Sequence, residues 1–152
     1  CKELNLTTGS FYWHFNGRQA LLSAMAESWK TIYGKEVLDE LRNSELDDRA
    51  QLKEINRLST QAGYGTIDRA LRIWAESCPE TQAAVREADR NLLDFVSEKL
   101  VNIGLSEEDA RVLARMAHAC AVGMFAVAPS LESRELEQID LMIQSLIEQH
   151  SH

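Results

Sequence analysis

The sequence predicts an all-α protein on three observations. Apolar residues recur at helical spacing along nearly the whole chain, helix start and stop signals fall between those runs, and no run alternates with the period of a strand. In chain order, Asn5 stands between Leu4 and Leu6, where a tight turn between two helices takes a left-handed residue. Thr7 is suited to cap a short helix, in which Phe11 and Phe15 lie four residues apart on one face while Thr8, Gly9, Ser10, Tyr12, Trp13 and His14 point elsewhere. From Gly17, the positions Leu21, Leu22, Met25, Trp29, Ile32 and Tyr33, continuing through Val37, Leu38 and Leu41, make a long connecting helix with an interruption near Gly34.

A polar break at residues 46–48 separates that helix from one marked by Leu52, Ile55 and Leu58, which Gly63-Tyr64-Gly65 is expected to end. A helix from about Thr66 carries Ile67, Ala70, Leu71 and Trp74 and ends near Cys78, where Pro79 fits the first position of its successor. The successor runs through Val85, Leu92, Leu93, Val96, Leu100 and Ile103 to Gly104, a natural C-terminal stop. Ser106 followed by Glu107, Glu108 and Asp109 offers a capping side chain and three acids at the positive end of the next helix dipole. Pro129 ends that helix, and residues 132–148 form the last one.

With 152 residues, 45% of them hydrophobic, the chain can bury a substantial core, and two Pro with seven Gly leave no room for a long disordered linker. No run approaches the roughly 18 uninterrupted apolar residues of a membrane span, so the expected location is the cytoplasm and no membrane partner is expected. Cys1, Cys78 and Cys120 are odd in number and far apart, which argues against a disulfide framework or a zinc site. The net charge of −8 is unevenly spread. Lys2, Arg18, Lys30 and Lys35 against Glu3 and Glu27 leave residues 1–35 at +2, so residues 36–152 carry −10. A mildly basic end on an acidic body suits a protein that touches phosphate only there.

The run Phe11-Tyr12-Trp13-His14-Phe15, followed by Arg18, Leu21 and Leu22, resembles the recognition helix of TetR-type transcriptional regulators. The family pattern is a hydrophobic turn, a few small residues, then aromatic-Tyr-x-His-aromatic and a basic residue before Leu-Leu. Asn5 stands here where the family usually has Gly, and Arg18 where it usually has Lys. The resemblance implies a helix-turn-helix reading head of which this chain lacks the first helix and most of the second. It divides the chain into residues 1–35, a partial DNA-binding domain with its connecting helix, and residues 36–152, a helical ligand-binding and dimerisation domain. It implies that Thr7, Thr8, Gly9, Ser10, Tyr12, Trp13, His14 and Arg18 meet double-stranded operator DNA: Thr8 and Gly9 at base edges, Ser10, Tyr12 and His14 on the backbone, Trp13 near the groove. Arg18 opposes the dipole of the helix that starts at Gly17, a penalty that a DNA phosphate reverses.

Ala114, Ala117, Ala119, Ala121, Gly123 and Ala126 let neighbouring helices approach closely, and the final helix adds the wide apolar stripe of Leu136, Ile139, Met142, Ile143, Leu146 and Ile147. These two helices are expected to pair with their symmetry mates in a homodimer through Ala117, Ala121, Gly123, Leu136, Ile139, Ile143 and Leu146. The TetR resemblance implies the same assembly, with a ligand pocket between reading head and dimer bundle. Trp29, Tyr33, Tyr64, Trp74, Phe95, Met116 and Met124 are candidate apolar walls of that pocket, and Asn91 and His118 candidate polar contacts, for a small apolar or amphipathic effector. Aromatics at helical spacing are also ordinary core residues.

Catalysis finds little support. His14, His118, His150 and His152 have no second His or Cys at the spacing that shares a helix face, and no nucleophile elbow, phosphate loop or dinucleotide fingerprint occurs. The expectation is therefore a non-enzymatic repressor without a cofactor or metal. The alternative is a dimeric helical ligand-binding or interaction protein without operator binding.

Overall fold

The computed structural model describes residues 7–59, 64–127 and 133–150. Among these residues all regular structure is helical, and the fold is all-α. α1 spans Thr8–His14, α2 Arg18–Lys30, α3 Val37–Arg42, α4 Asp48–Ser59, α5 Tyr64–Ala75, α6 Pro79–Asn102, α7 Glu107–Val127 and α8 Ser133–His150. A π-helical turn, Thr31–Glu36, joins α2 to α3. The expected interruption near Gly34 is this turn: a locally wider coil that lets one helical rod change course without ending.

The helix boundaries have local causes. Thr7 stands in an extended conformation and its hydroxyl accepts from the Ser10 N–H at 3.1 Å, capping α1. Gly17 begins α2 at φ 95°, a left-handed backbone that a side chain would strain. Pro79 occupies the first turn of α6, where its missing N–H costs nothing. At the other end of α6, Gly104 turns the chain at φ 109°. Its N–H donates to the Val101 carbonyl at 3.0 Å, and the Leu105 N–H reaches back to Leu100 at 3.1 Å. This closure also brings Leu100 and Leu105 into one buried cluster, so the stop is both hydrogen-bonded and apolar. The Ser106 hydroxyl then accepts from the Asp109 N–H at 3.1 Å to start α7.

One boundary departs from the sequence expectation. Tyr64 and Gly65 are the first residues of α5 rather than a terminator between helices. Gly disfavours a helix interior by about 1 kcal/mol, but at the first turn that cost is small, and the Tyr64 ring is partly enclosed there near Asp68 and Arg72 of α5 and Asp89 of α6. Asn5, Gly63 and Pro129, which carry expected turns, lie outside the described residues.

α6 is the axis of the body. Its buried face meets Ala26 and Trp29 of α2 and Leu71 and Ala75 of α5 through Ala84, Val85 and Ala88. Farther along, Phe95 packs with Leu38 and Leu41 of α3. At its end, Leu100 packs with Leu105, Ala110, Leu113 and Ala114, and Leu146 and Ile147 of α8 close over that cluster. Two cations sit above the fully buried Phe95 ring, Arg42 at 5.2 Å and Lys99 at 5.4 Å from its centre. Lys99 is itself buried and is held by Asp48 and Glu98, each at 3.0 Å. Burial works against its charge, yet those two carboxylates prevail and its pKa rises.

Candidate functional site

None of the residues of α1 is buried, in contrast to α6 at the centre of the body. Phe11 and Phe15 turn to one side with their rings 5.8 Å apart, as their spacing dictates, and both are half-buried. The opposite side carries Tyr12, 65% exposed, and Trp13, 82% exposed, beside exposed Thr8, Gly9 and His14. The His14 ring meets Trp13 edge to face at 4.5 Å. An indole that exposed contributes little to the packing of the fold. The exposed Arg18 stands at the start of α2, close to this face in sequence. The eight residues assigned to the DNA interface are therefore all on or beside one short helix, and seven of them are exposed, Ser10 being half-buried.

Polar contacts add to the apolar packing of α2 on the body. Gln19 Nε2 donates to the buried Cys78 Sγ at 3.3 Å, and the thiol donates to Glu80 Oε2 at 3.3 Å. Lys30 binds Glu87 of α6 at 3.1 Å. Beside these contacts a cavity of about 830 Å³ lies between α2 and α5, with Trp29, Trp74, Leu22 and Met25 in its walls and Arg18 and Gln19 on its rim. The Trp29 Nε1–H is enclosed without an acceptor among the described residues, so the indole contributes an apolar surface there and no hydrogen bond.

A second cavity, of about 420 Å³, lies between α4, α6, α7 and α8. Leu52, Ile55, Leu92, Leu93, Val96, Leu113 and Ile143 make its walls, Ala114, Ala117 and Ala121 keep it open, and His118 supplies a polar group. Arg49 and Lys53 of α4 stand along it, with Glu148 of α8 also on its lining. His118 is the end of a chain of hydrogen-bonded polar groups. Its Nε2 donates to Asp89 Oδ1 at 3.1 Å; Arg72 donates to both Asp89 oxygens at 2.7 and 2.9 Å and to Asp68 at 2.8 Å. Burial resists the charge on Asp89, but the hydrogen bonds from Arg72 and then from His118 outweigh it and bring its carboxyl down to about 2. Burial, reinforced by the Asp68 charge, pushes the Tyr64 phenol up to about 12. Arg72 thus ties α5 to α6, and His118 ties α6 to α7 beside the cavity.

The pocket residues expected from the sequence divide between these places. Trp29 and Trp74 line the α2–α5 cavity, His118 lines the second, and Tyr64 lies within the electrostatic reach of Asp68, Arg72 and Asp89. Phe95 is 0% exposed and packs in the core under Arg42 and Lys99. Asn91 and Met124 are half-buried and border neither cavity, while Met116 faces outward. Tyr33 lies in the π-helical turn and its side chain is outside the described set. The residues expected at the dimer interface divide too. Ala117, Ala121 and Ile143 line the second cavity, Leu146 packs on the α6–α7 core, and Gly123 and Ile139 are half-buried; Leu136 is in α8 with its side chain outside the described set. What those helices leave exposed is Val112 and Met116 of α7, the latter 55% exposed, and Leu141 and Met142 of α8, the latter 63% exposed. The i, i+4 spacing of Val112, Met116 and Cys120 was visible in the sequence, but which stripe of α7 the chain itself covers was not.

Among the described residues no three His, Cys, Asp or Glu side chains cluster in a way that could hold a metal ion, and no helix is long and apolar enough to cross a membrane. No protein-family model, curated protein or solved structure matches the chain.

Proposed function

We propose that this chain is a TetR-like transcriptional repressor that binds double-stranded operator DNA as a homodimer and is released by a small effector held in its helical body. The observation that carries the reading is the exposed face of α1, where Thr8, Gly9, Tyr12, Trp13 and His14 face solvent beside Arg18. Small residues at the start of such a helix allow close approach to base edges, and the hydroxyl, imidazole and guanidinium groups suit phosphates. The exposed apolar residues Val112, Met116, Leu141 and Met142 supply the surface for the second copy. Effector binding acts on DNA affinity only through different affinities for two head arrangements. The chain His118–Asp89–Arg72, running from the second cavity to α5, which packs on α2, is the element assigned to that coupling.

Selection of bound sequences from a random duplex pool tests the reading in the full chain. Recovery of a two-half-site sequence is expected. Tyr12→Phe should then weaken all bound sequences alike by about 1 kcal/mol, whereas Thr8 substitutions should change base preference. Arg18→Ala should make the salt dependence shallower by about 0.9 for each phosphate that Arg18 neutralises. A second reading, a dimeric helical ligand-binding protein without operator binding, is favoured by the acidic body and its cavities. Enrichment of no sequence, together with a dimer in sedimentation equilibrium, would select it.

A further inference from the structure

We infer that the cavity between α4, α6, α7 and α8 takes a single-chain anionic amphiphile of the fatty-carboxylate class, with its carboxylate at Arg49 and Lys53 and its hydrocarbon chain running inward toward His118. The inference rests on the effector-pocket part of the proposed function and names the chemistry of that ligand.

The shape comes first. The lining on α4 extends from Arg49 to Ser59, about 15 Å of helix. On α6 it extends from Leu92 to Ile103, in the opposite direction along the same cavity, because Lys99 of α6 is bound to Asp48 at the start of α4. An elongated cavity of this kind, walled by Leu, Ile, Val and Ala on four helices, fits an extended hydrocarbon chain better than a compact ring system.

The charge distribution comes next. Arg49 and Lys53 are exposed, one turn apart on α4, and both line the cavity. Among the described residues neither has an ion-pair or side-chain hydrogen-bond partner, unlike Arg57 on the same helix, which is locked to Glu54 at 2.8 and 2.6 Å; Arg18, Arg69, Arg90 and Arg115 also lack such a partner, but none of them lines this cavity. In a chain of net charge −8, two neighbouring cations outside any ion pair at the edge of an apolar cavity are a local reversal of sign, with Asp47 and Asp48 beside Arg49 in the adjoining cleft rather than in this one. Glu148 on the α8 wall offsets one of them, so the lining keeps one net positive charge without counting His118. At the far end His118 Nε2 is engaged by Asp89, which leaves the imidazole as a fixed end wall and not as a second anchor for an anion.

Isothermal titration of the full chain without DNA tests the assignment, using dodecanoate, dodecanol and dodecyltrimethylammonium below their micellar concentrations. Dodecanoate is expected to bind about tenfold more tightly than dodecanol, with the cationic amphiphile weakest. In Arg49→Gln/Lys53→Gln, two surface changes that leave the core alone, dodecanoate should fall to the affinity of dodecanol while dodecanol itself is unchanged. Ala117→Phe, which fills the cavity, should abolish binding of both with the circular-dichroism spectrum retained. If that variant does not fold, Ala121→Leu, a smaller intrusion from the same helix, should weaken dodecanoate and dodecanol together. Equal affinity for dodecanoate and dodecanol, a preference that survives Arg49→Gln/Lys53→Gln, or no binding of any of the three overturns the inference. A chain that selects an operator but ignores dodecanoate refutes only the ligand assignment. One that binds dodecanoate as described but selects no DNA sequence refutes only the regulator.

Discussion

α1 and α6 are opposite uses of a helix. α6 buries Thr81, Ala84, Val85, Ala88, Phe95, Lys99 and Leu100, runs through the whole body, and anchors both the cation pair over Phe95 and the Arg72–Asp89–His118 chain. α1 buries nothing and presents its largest side chain to solvent. Under the proposed function, the difference separates stability from recognition along the chain. Energetic weight sits where side chains are enclosed and satisfied, and chemistry free to meet a partner sits where the fold has no claim on it.

The comparison breaks first at Phe95. Phe95→Ala removes a fully buried ring and the surface under two cations, and should destabilise the body by about 3–5 kcal/mol in urea unfolding. A loss under about 1 kcal/mol would mean that α6 is not the axis on which the body depends.

Asp89 sharpens the comparison at the next level. Its pKa is lowered in the fold to about 2, so the stability it contributes is fully present above the ordinary carboxylate pKa and is lost as pH falls from about 4 to about 2. Asp89→Asn should cost roughly 2 kcal/mol at neutral pH and flatten the acid limb of a stability-against-pH curve over that window. An unchanged acid limb would show that the carboxylate is not held by Arg72 in solution.

The smallest effect belongs to α1. Trp13→Ala should change unfolding free energy by less than about 0.5 kcal/mol, because the indole is 82% exposed, while weakening the binding of any sequence that the wild-type chain selects. A large loss of stability would place Trp13 in packing and remove the contrast with α6.

Most of the helices were legible in the sequence because their causes are local. The Thr7 cap, Pro79 at a helix start, Gly104 at a left-handed stop and Ser106 at a cap each act within four residues, and each stands where the sequence put it. The Gly63-Tyr64-Gly65 expectation failed at Tyr64 and Gly65 for the complementary reason: propensity is weak, and the enclosure of the Tyr64 ring is tertiary. The candidate sites were legible only as composition. His118 could be named as a polar group in an apolar helix, but its partner Asp89 is on another helix, and Arg72 on a third. Arg49 and Lys53 carried no signal in the sequence, since nothing in one helix reveals that a cavity opens beside it.

The sequence by itself determined that the chain is helical, where most helices begin and end, that an aromatic and hydroxyl-rich motif lies near its start, and that its charge is divided between a basic end and an acidic body. Only the tertiary structure decided which apolar stripe each helix hides. Phe95 went into the core, Ala117, Ala121 and Ile143 around an internal cavity, and Met116 and Met142 outward. The physical reason is that a helix's periodicity fixes which residues share a face, whereas the choice of the face to bury depends on the helices that pack against it, and those are distant in sequence.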